Sequence, residues 1–303
     1  MSTEALAELN ARFGIRGRVT FTQAAGGLIV AAVRNAQATA RIALQGAQVL
    51  DWTPAGARPV IWVSPAAMQA PGKPLRGGVP VCWPWFGPHA TEAGFPAHGL
   101  ARTQCWEMAQ VQQLSDGSTT LSLRLSQDAN TRLLWPHDTE LLLLANIGRH
   151  LRIDLLTRNT GDEAFTLTQA LHSYFAVSDV REVVVRGLEG LPYIDKVAGG
   201  ARRVQSGPLT LSDETDRIYL DHGGECVIDD PGLRRRIVIR RQGSRSTVVW
   251  NPWAEKSAAM ADMGEGVYRG MLCVEAANAA EDAVVVAPGG EHRLQVSYRL
   301  AAW

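Results

Sequence analysis

Apolar residues along this chain recur mostly at every second position, in short runs broken by Gly, Pro, Asn and Asp. Leu121, Leu123 and Leu125 alternate with Ser122 and Arg124, and Leu294, Val296 and Tyr298 repeat the pattern near the end. Period two is the mark of half-buried strands, whose successive side chains point to opposite faces. Strand-like runs cover residues 18–22, 28–33, 38–44, 48–52, 60–63, 119–125, 140–147, 151–157, 165–177, 182–186, 236–240, 247–250, 269–276, 283–286 and 293–300. Turn signals separate them, such as Asp116-Gly117 and Ala287-Pro288-Gly289-Gly290. Residues 2–12 fit a short amphipathic helix, with Leu6 and Leu9 on one face and Ser2 or Thr3 as cap. No helical window falls regularly between the strands, which disfavours a βαβ parallel sheet. The expectation is an all-β, large antiparallel sandwich with a few short helices. Without repeats or linkers, residues 1–303 read as one domain.

Residues 71–106 stand apart. They are rich in Pro and Gly and hold Trp83, Trp85, Trp106, His89 and His98. The stretch is too irregular for a strand and too aromatic for a solvated loop, and long ordered loops are commonly functional.

Charge and composition narrow the function. Thirty basic residues balance thirty acidic ones, so excess positive charge for nucleic acid or anionic membrane is missing. No apolar run is long enough to span a membrane. The first residues carry two acids and lack the basic and apolar regions of a secretory signal. Cys82, Cys105, Cys226 and Cys273 are scattered, without disulfide or zinc spacing. These features point to a cytoplasmic protein with neither metal nor cofactor, and with no nucleic-acid or membrane partner.

Several residues carry chemistry. Arg76 and Arg102 lie in the irregular region, where paired guanidiniums suit a carboxylate or phosphate; ordinary ion pairs are the alternative. His98 shares that region, in His-Gly-Leu-Ala-Arg. His172 falls on the more polar face of a strand run, as a pocket group or as a hydrogen-bonded structural histidine. Glu275 interrupts an apolar run, Met-Leu-Cys-Val-Glu-Ala-Ala. Burying a carboxylate is costly unless it is paired or functional, and burial raises its pKa toward that of a general base. Asp216 reads as a surface acid or a ligand for hydroxyls. Trp83, Trp85, Trp250 and Trp253 could stack on a sugar or fill the core.

Together these residues resemble the aldose 1-epimerase superfamily, and specifically its hexose-6-phosphate mutarotase branch. The matching segments are Gly46–Trp52, Leu75–Gly87, His98–Arg102, Leu171–Phe175, Thr215–Tyr219, Val249–Trp253 and Cys273–Asn278, in this order. The resemblance implies the galactose-mutarotase-like supersandwich, and an enzyme that interconverts α and β anomers of a sugar phosphate such as D-glucose 6-phosphate. It implies His172 as general acid, Glu275 as general base and His98 near the ring oxygen. Arg76 and Arg102 would lie near the phosphate, and Asp216 on sugar hydroxyls. Ala97 departs from relatives that carry glutamine there. The partner is then a small sugar phosphate and the protein a monomer. An epimerase for unphosphorylated aldoses and a non-catalytic carbohydrate-binding sandwich are the alternatives.

Overall fold

The computed structural model describes residues 3–24 and 26–303; Ser2, one of the two expected caps, lies outside them. The predicted alternation is realised most plainly in the strand Thr139–Ile147, where every second residue is buried and the intervening ones are half-buried. Its neighbour Thr119–Leu125 pairs with it over its whole length, and His150–Asn159 pairs with it from Leu151 onward. These belong to an eight-stranded sheet ordered 184–186, 226–230, 235–242, 291–302, 150–159, 139–147, 119–125 and 107–113. A second eight-stranded sheet is ordered 201–204, 192–195, 215–219, 246–251, 271–278, 169–171 and 81–82, with 174–176 also on 271–278. A four-stranded sheet (19–23, 29–34, 38–43, 48–54) and a two-stranded pair (165–167, 284–286) complete the sheets. All strand pairs are antiparallel.

The two large sheets face each other across one core. Leu272, Val274 and Ala276 from one meet the cluster that holds Leu294, Val296 and Tyr298 from the other. Each fully buried leucine or valine among them contributes roughly 1.5–3 kcal/mol. The amino-terminal helix is Thr3–Phe13, and Asn10 docks it by exchanging two hydrogen bonds with the Phe21 backbone (2.8 and 2.9 Å).

Some elements differ from the sequence expectation. Residues 60–63 form only isolated bridges, at Ile61 and Val63. The run 165–177 splits into three strands. The strands Glu107–Gln113, Pro192–Asp195, Ala201–Val204, Thr215–Tyr219 and Cys226–Asp230 carry weak or polar patterns and escaped the period-two reading.

Alternation matters most in Met271–Asn278. Its even-numbered side chains fill the core, so Met271, Cys273, Glu275 and Ala277 point to the outer face. The register then builds rows across that face. One runs Asp216, Trp250, Cys273, Tyr174. The next runs Ile194, Ile218, Val248, Glu275. The pairs Leu171–Ala276 and Tyr174–Cys273 share one register, which sets His172 opposite Glu275. The ladder opens at His172 and Ser173. There Ser173 Oγ donates to the Leu171 carbonyl (3.0 Å), so the Tyr298 hydroxyl beneath donates to Ser173 Oγ.

The loop region is folded over one edge of this sheet. Gly99 bridges Trp83, and its φ is +75°. A Cβ there would lie 2.0 Å from the Trp83 carbonyl oxygen, an approach only glycine permits. Gly99→Ala is expected to destabilise the protein by about 1–3 kcal/mol and to displace His98. Thermal unfolding together with the His98 ring resonances checks both.

Candidate active site

His172 and Glu275 meet on the outer face of the sheet, 8% and 1% exposed. Nδ1 of His172 lies 3.2 Å from Oε1 of Glu275. The contact is close but poorly aligned, since His172 Nδ1 and Glu275 Oε2 have no hydrogen-bond partner among the described residues. Two buried polar atoms are thus left to satisfy each other imperfectly or to meet a ligand.

Burial decides their protonation. It holds Glu275 well above the carboxylate range; Asp216 pushes the same way and Lys196 opposes. It holds His172 well below the imidazole range, and the neighbouring His98, Arg76 and Arg102 act in the same direction. The unliganded pair therefore favours neutral imidazole beside neutral carboxylic acid. The simpler expectation, that the carboxylate would keep the imidazole charged, yields to desolvation, because neither ion is solvated here.

Aromatic rings surround the pair. Tyr174 stacks on His172 at 4.8 Å and 8°, and Trp250 stands edge-on at 6.1 Å. His98 lies across from His172 with ring centroids 5.8 Å apart. Its φ of +65° comes just before Gly99. His98 Nδ1 accepts the Gly87 N–H (3.3 Å), which leaves the ring proton on Nε2. Burial, then Arg102, Lys196 and Arg76, bring its pKa down to about 3. His98 is thus a neutral hydrogen-bond donor.

The two arginines are not equivalent. Arg76 Nε pairs with Asp262 (3.0 Å), Nη1 donates to the Tyr174 hydroxyl (3.2 Å), and the guanidinium lies over Trp250. Burial works against its charge, but Tyr174 and Asp262 outweigh that and raise its pKa. Arg102 donates to the Ala97 carbonyl (2.7 Å) and, among the described residues, makes no ion pair. Asp216 is only 18% exposed, shares the row of Trp250 and is paired with Lys196 at 3.3 Å. The surface alternative for Asp216 therefore fails: it faces the His172–Glu275 pair.

Of the four tryptophans considered, Trp250 lies on this face, whereas Trp83 is buried in the core against Trp135. Tyr174, Lys196 and Asp262 are the site residues that the sequence did not single out. His172, Cys273 and Glu275 could offer a metal one donor each, within 4.8 Å of one another. Burial pushes the Cys273 thiol well above its usual pKa, and a neutral thiol is a poor ligand. A shallow groove of about 570 Å³ on the four-stranded sheet, lined by Arg18, Arg34 and the Arg41–Asp51 pair, contains no buried acid–base group.

Comparison with known proteins places this geometry. The model of the aldose 1-epimerase family matches residues 30–299. The chain belongs to the aldose 1-epimerase family. Two relatives are each named "putative glucose-6-phosphate 1-epimerase". The one from Escherichia coli (strain K12) is 41% identical to this epimerase-family chain over 270 residues, 89% of both chains. The one from the plant Cenchrus ciliaris is 34% identical, over 85% of this chain and 80% of that one. Among solved structures, a "putative mutarotase" of Salmonella typhimurium is 35% identical, covers 96% of both chains and superposes with a TM-score of 0.90. The galactose 1-epimerase of Lactobacillus acidophilus NCFM, 14% identical with a TM-score of 0.69, shares the fold over 94% of this chain and 99% of that one. The expected galactose-mutarotase-like architecture is therefore the one present. No helix among the described residues is long and apolar enough to cross a membrane.

The buried acid carries a stability cost in this epimerase-family protein. Above pH 4.5 the unfolded chain releases the Glu275 proton while the folded chain keeps it, so the native state loses stability as pH rises. Glu275→Gln is expected to be the more stable protein at neutral pH. Its advantage should grow from about pH 4.5 upward, and unfolding midpoints measured across pH test this.

Proposed function

We propose that this protein interconverts the α and β anomers of a hexose 6-phosphate such as D-glucose 6-phosphate, by opening and closing the sugar ring. The observation that carries this is the His172–Glu275 contact, with two polar atoms that have no hydrogen-bond partner among the described residues, on a largely apolar floor. The ring oxygen and the anomeric hydroxyl are both bonded to C1. An acid and a base that are neighbours can therefore serve both oxygens.

Glu275 carboxylate takes the proton of the C1 hydroxyl while His172 imidazolium gives its proton to the ring oxygen. The C1–ring-oxygen bond breaks and the C1 carbonyl forms. Rotation about C1–C2 offers the other carbonyl face, and closure returns both protons. His98 Nε2–H supports the ring oxygen, and Asp216 accepts from sugar hydroxyls. Arg102 holds the phosphate, with Arg76 beside it.

The charge states fit this cycle. Before opening, the pair is imidazolium and carboxylate; after opening, it is imidazole and carboxylic acid. Burial favours the second state. A phosphate dianion offsets Arg76 and Arg102, which depress His172, and so favours the first. Bringing the two states close in free energy is what a reversible proton shuttle requires. No cofactor enters these steps. One observation favours unphosphorylated sugars as the second reading: Asp262 already neutralises Arg76.

Anomer exchange, followed by NMR magnetisation transfer on glucose 6-phosphate, tests the proposal. His172→Ala and Glu275→Gln should each lower it roughly 10²–10⁴-fold; wild-type rates in both variants would refute it. Because the pair titrates as a unit, the pH profile of kcat/KM should be bell-shaped. It falls on the acid side, below the usual histidine range, when the pair takes a second proton. It falls on the alkaline side, above the usual carboxylate range, when the single proton leaves. Arg102→Ala should raise KM for the phosphorylated sugar about 10- to 100-fold and leave free glucose nearly unaffected. Equal effects on both sugars would favour the second reading.

A further inference from the structure

Lys196 directly follows the strand Pro192–Asp195. Its backbone N–H donates to the Asp216 carbonyl (2.9 Å), carrying the ladder one residue past the end of that strand. The residue is therefore fixed opposite Asp216, with its side chain on the same outer face, one step beyond Asp216 in the row of Trp250 and Cys273. The ammonium lies 3.3 Å from Asp216 Oδ2. Asp216 is mostly buried and Lys196 is 39% exposed, so the lysine stands at the rim and the carboxylate inside it.

We propose that Lys196 is a positioning residue of this site, holding the Asp216 carboxylate toward the sugar and balancing its negative charge beside Glu275. A carboxylate next to a buried acid would on its own make that acid harder to ionise. Glu275 is faced by His172 on the adjoining segment, by Tyr174 and Cys273 in the next row, by Cys82 at the sheet edge and by Tyr298 from the core side. The Asp216–Lys196 pair is the charged element that bears on it from across the sheet, and the two members act in opposite senses. The charge of Lys196 also bears on His98. An ion pair with one exposed member contributes little to folding, so a role at the site can be separated from a structural one.

This inference rests on the epimerase reading for its kinetic test, and a second measurement frees it from that dependence. Full-length Lys196→Met and Lys196→Arg proteins are compared with the parent by anomer exchange on glucose 6-phosphate across pH. Lys196→Met should shift the kcat/KM profile upward by roughly one pH unit and raise KM about tenfold, with an unchanged unfolding midpoint. Lys196→Arg should restore both. A Lys196→Met profile and KM that superimpose on the parent would overturn the inference. In parallel, ¹³C-detected titration of the Glu275 carboxyl without substrate should show the same upward shift in Lys196→Met. If the parent shows no exchange, the epimerase reading fails, while the carboxyl titration still decides the role of Lys196: a shift supports it and no shift overturns it.

Discussion

A histidine and a glutamate meet on the dry face of a sheet, and the surrounding structure is arranged around that contact. Side chains directly opposite each other on neighbouring antiparallel strands lie about 4.5–5.5 Å apart at Cβ. Register alone therefore brings His172 within reach of Glu275, provided that the ladder on both sides stays in phase. The opening at residues 172 and 173 frees the imidazole from strict strand geometry. Tyr298, reaching up from the opposite sheet, keeps that opening in place through Ser173. Catalytic geometry in the proposed reaction is thus set by packing between sheets, and not by flexible loops.

The same arrangement shows why the residues are destabilising where they stand. The outer face of the sheet is floored by Cys82, Ala170, Val248, Cys273 and Ala277, none of which solvates a charge. A carboxyl and an imidazole there keep their neutral forms, which suits groups that must both give and accept a proton near neutral pH. Aromatic walls at Tyr174 and Trp250 deepen the effect by excluding water.

Much of this was legible in the sequence. Period two gave the sandwich, and Glu275 stood out because a carboxylate inside an apolar run demands a reason. His172 lay on the correct face of its run. What escaped shares one cause. Thr215–Tyr219 and Pro192–Asp195 have little hydrophobic alternation, because their outer faces mix apolar Ile194 and Ile218 with Asp216, while polar Thr215 and Arg217 take inner positions. The pattern around Asp216 therefore leaves a surface acid and a ligand for hydroxyls both open, and it does not mark Lys196 at all. Asp262 meets Arg76 across 186 residues of chain, a pairing that no local pattern encodes. Trp83 sits in the segment richest in candidate residues, yet it serves the core.

The distribution of charge around the pair bears on the kind of substrate. Two of the three cations near it already have carboxylate partners, Arg76 with Asp262 and Lys196 with Asp216. Each such pair is a fixed dipole whose field falls off faster than that of a lone charge. Arg102, which makes no ion pair among the described residues, is the charge that acts most on His98, and it joins Arg76 in acting on His172. A neutral sugar would leave that field in place and the imidazole disinclined to hold its proton. A dianionic phosphate seated there would reverse it, so the group that anchors the substrate would also favour the charge state from which ring opening starts. In a site this dry, a distant charge acts through a low effective dielectric, and binding and protonation cannot be independent.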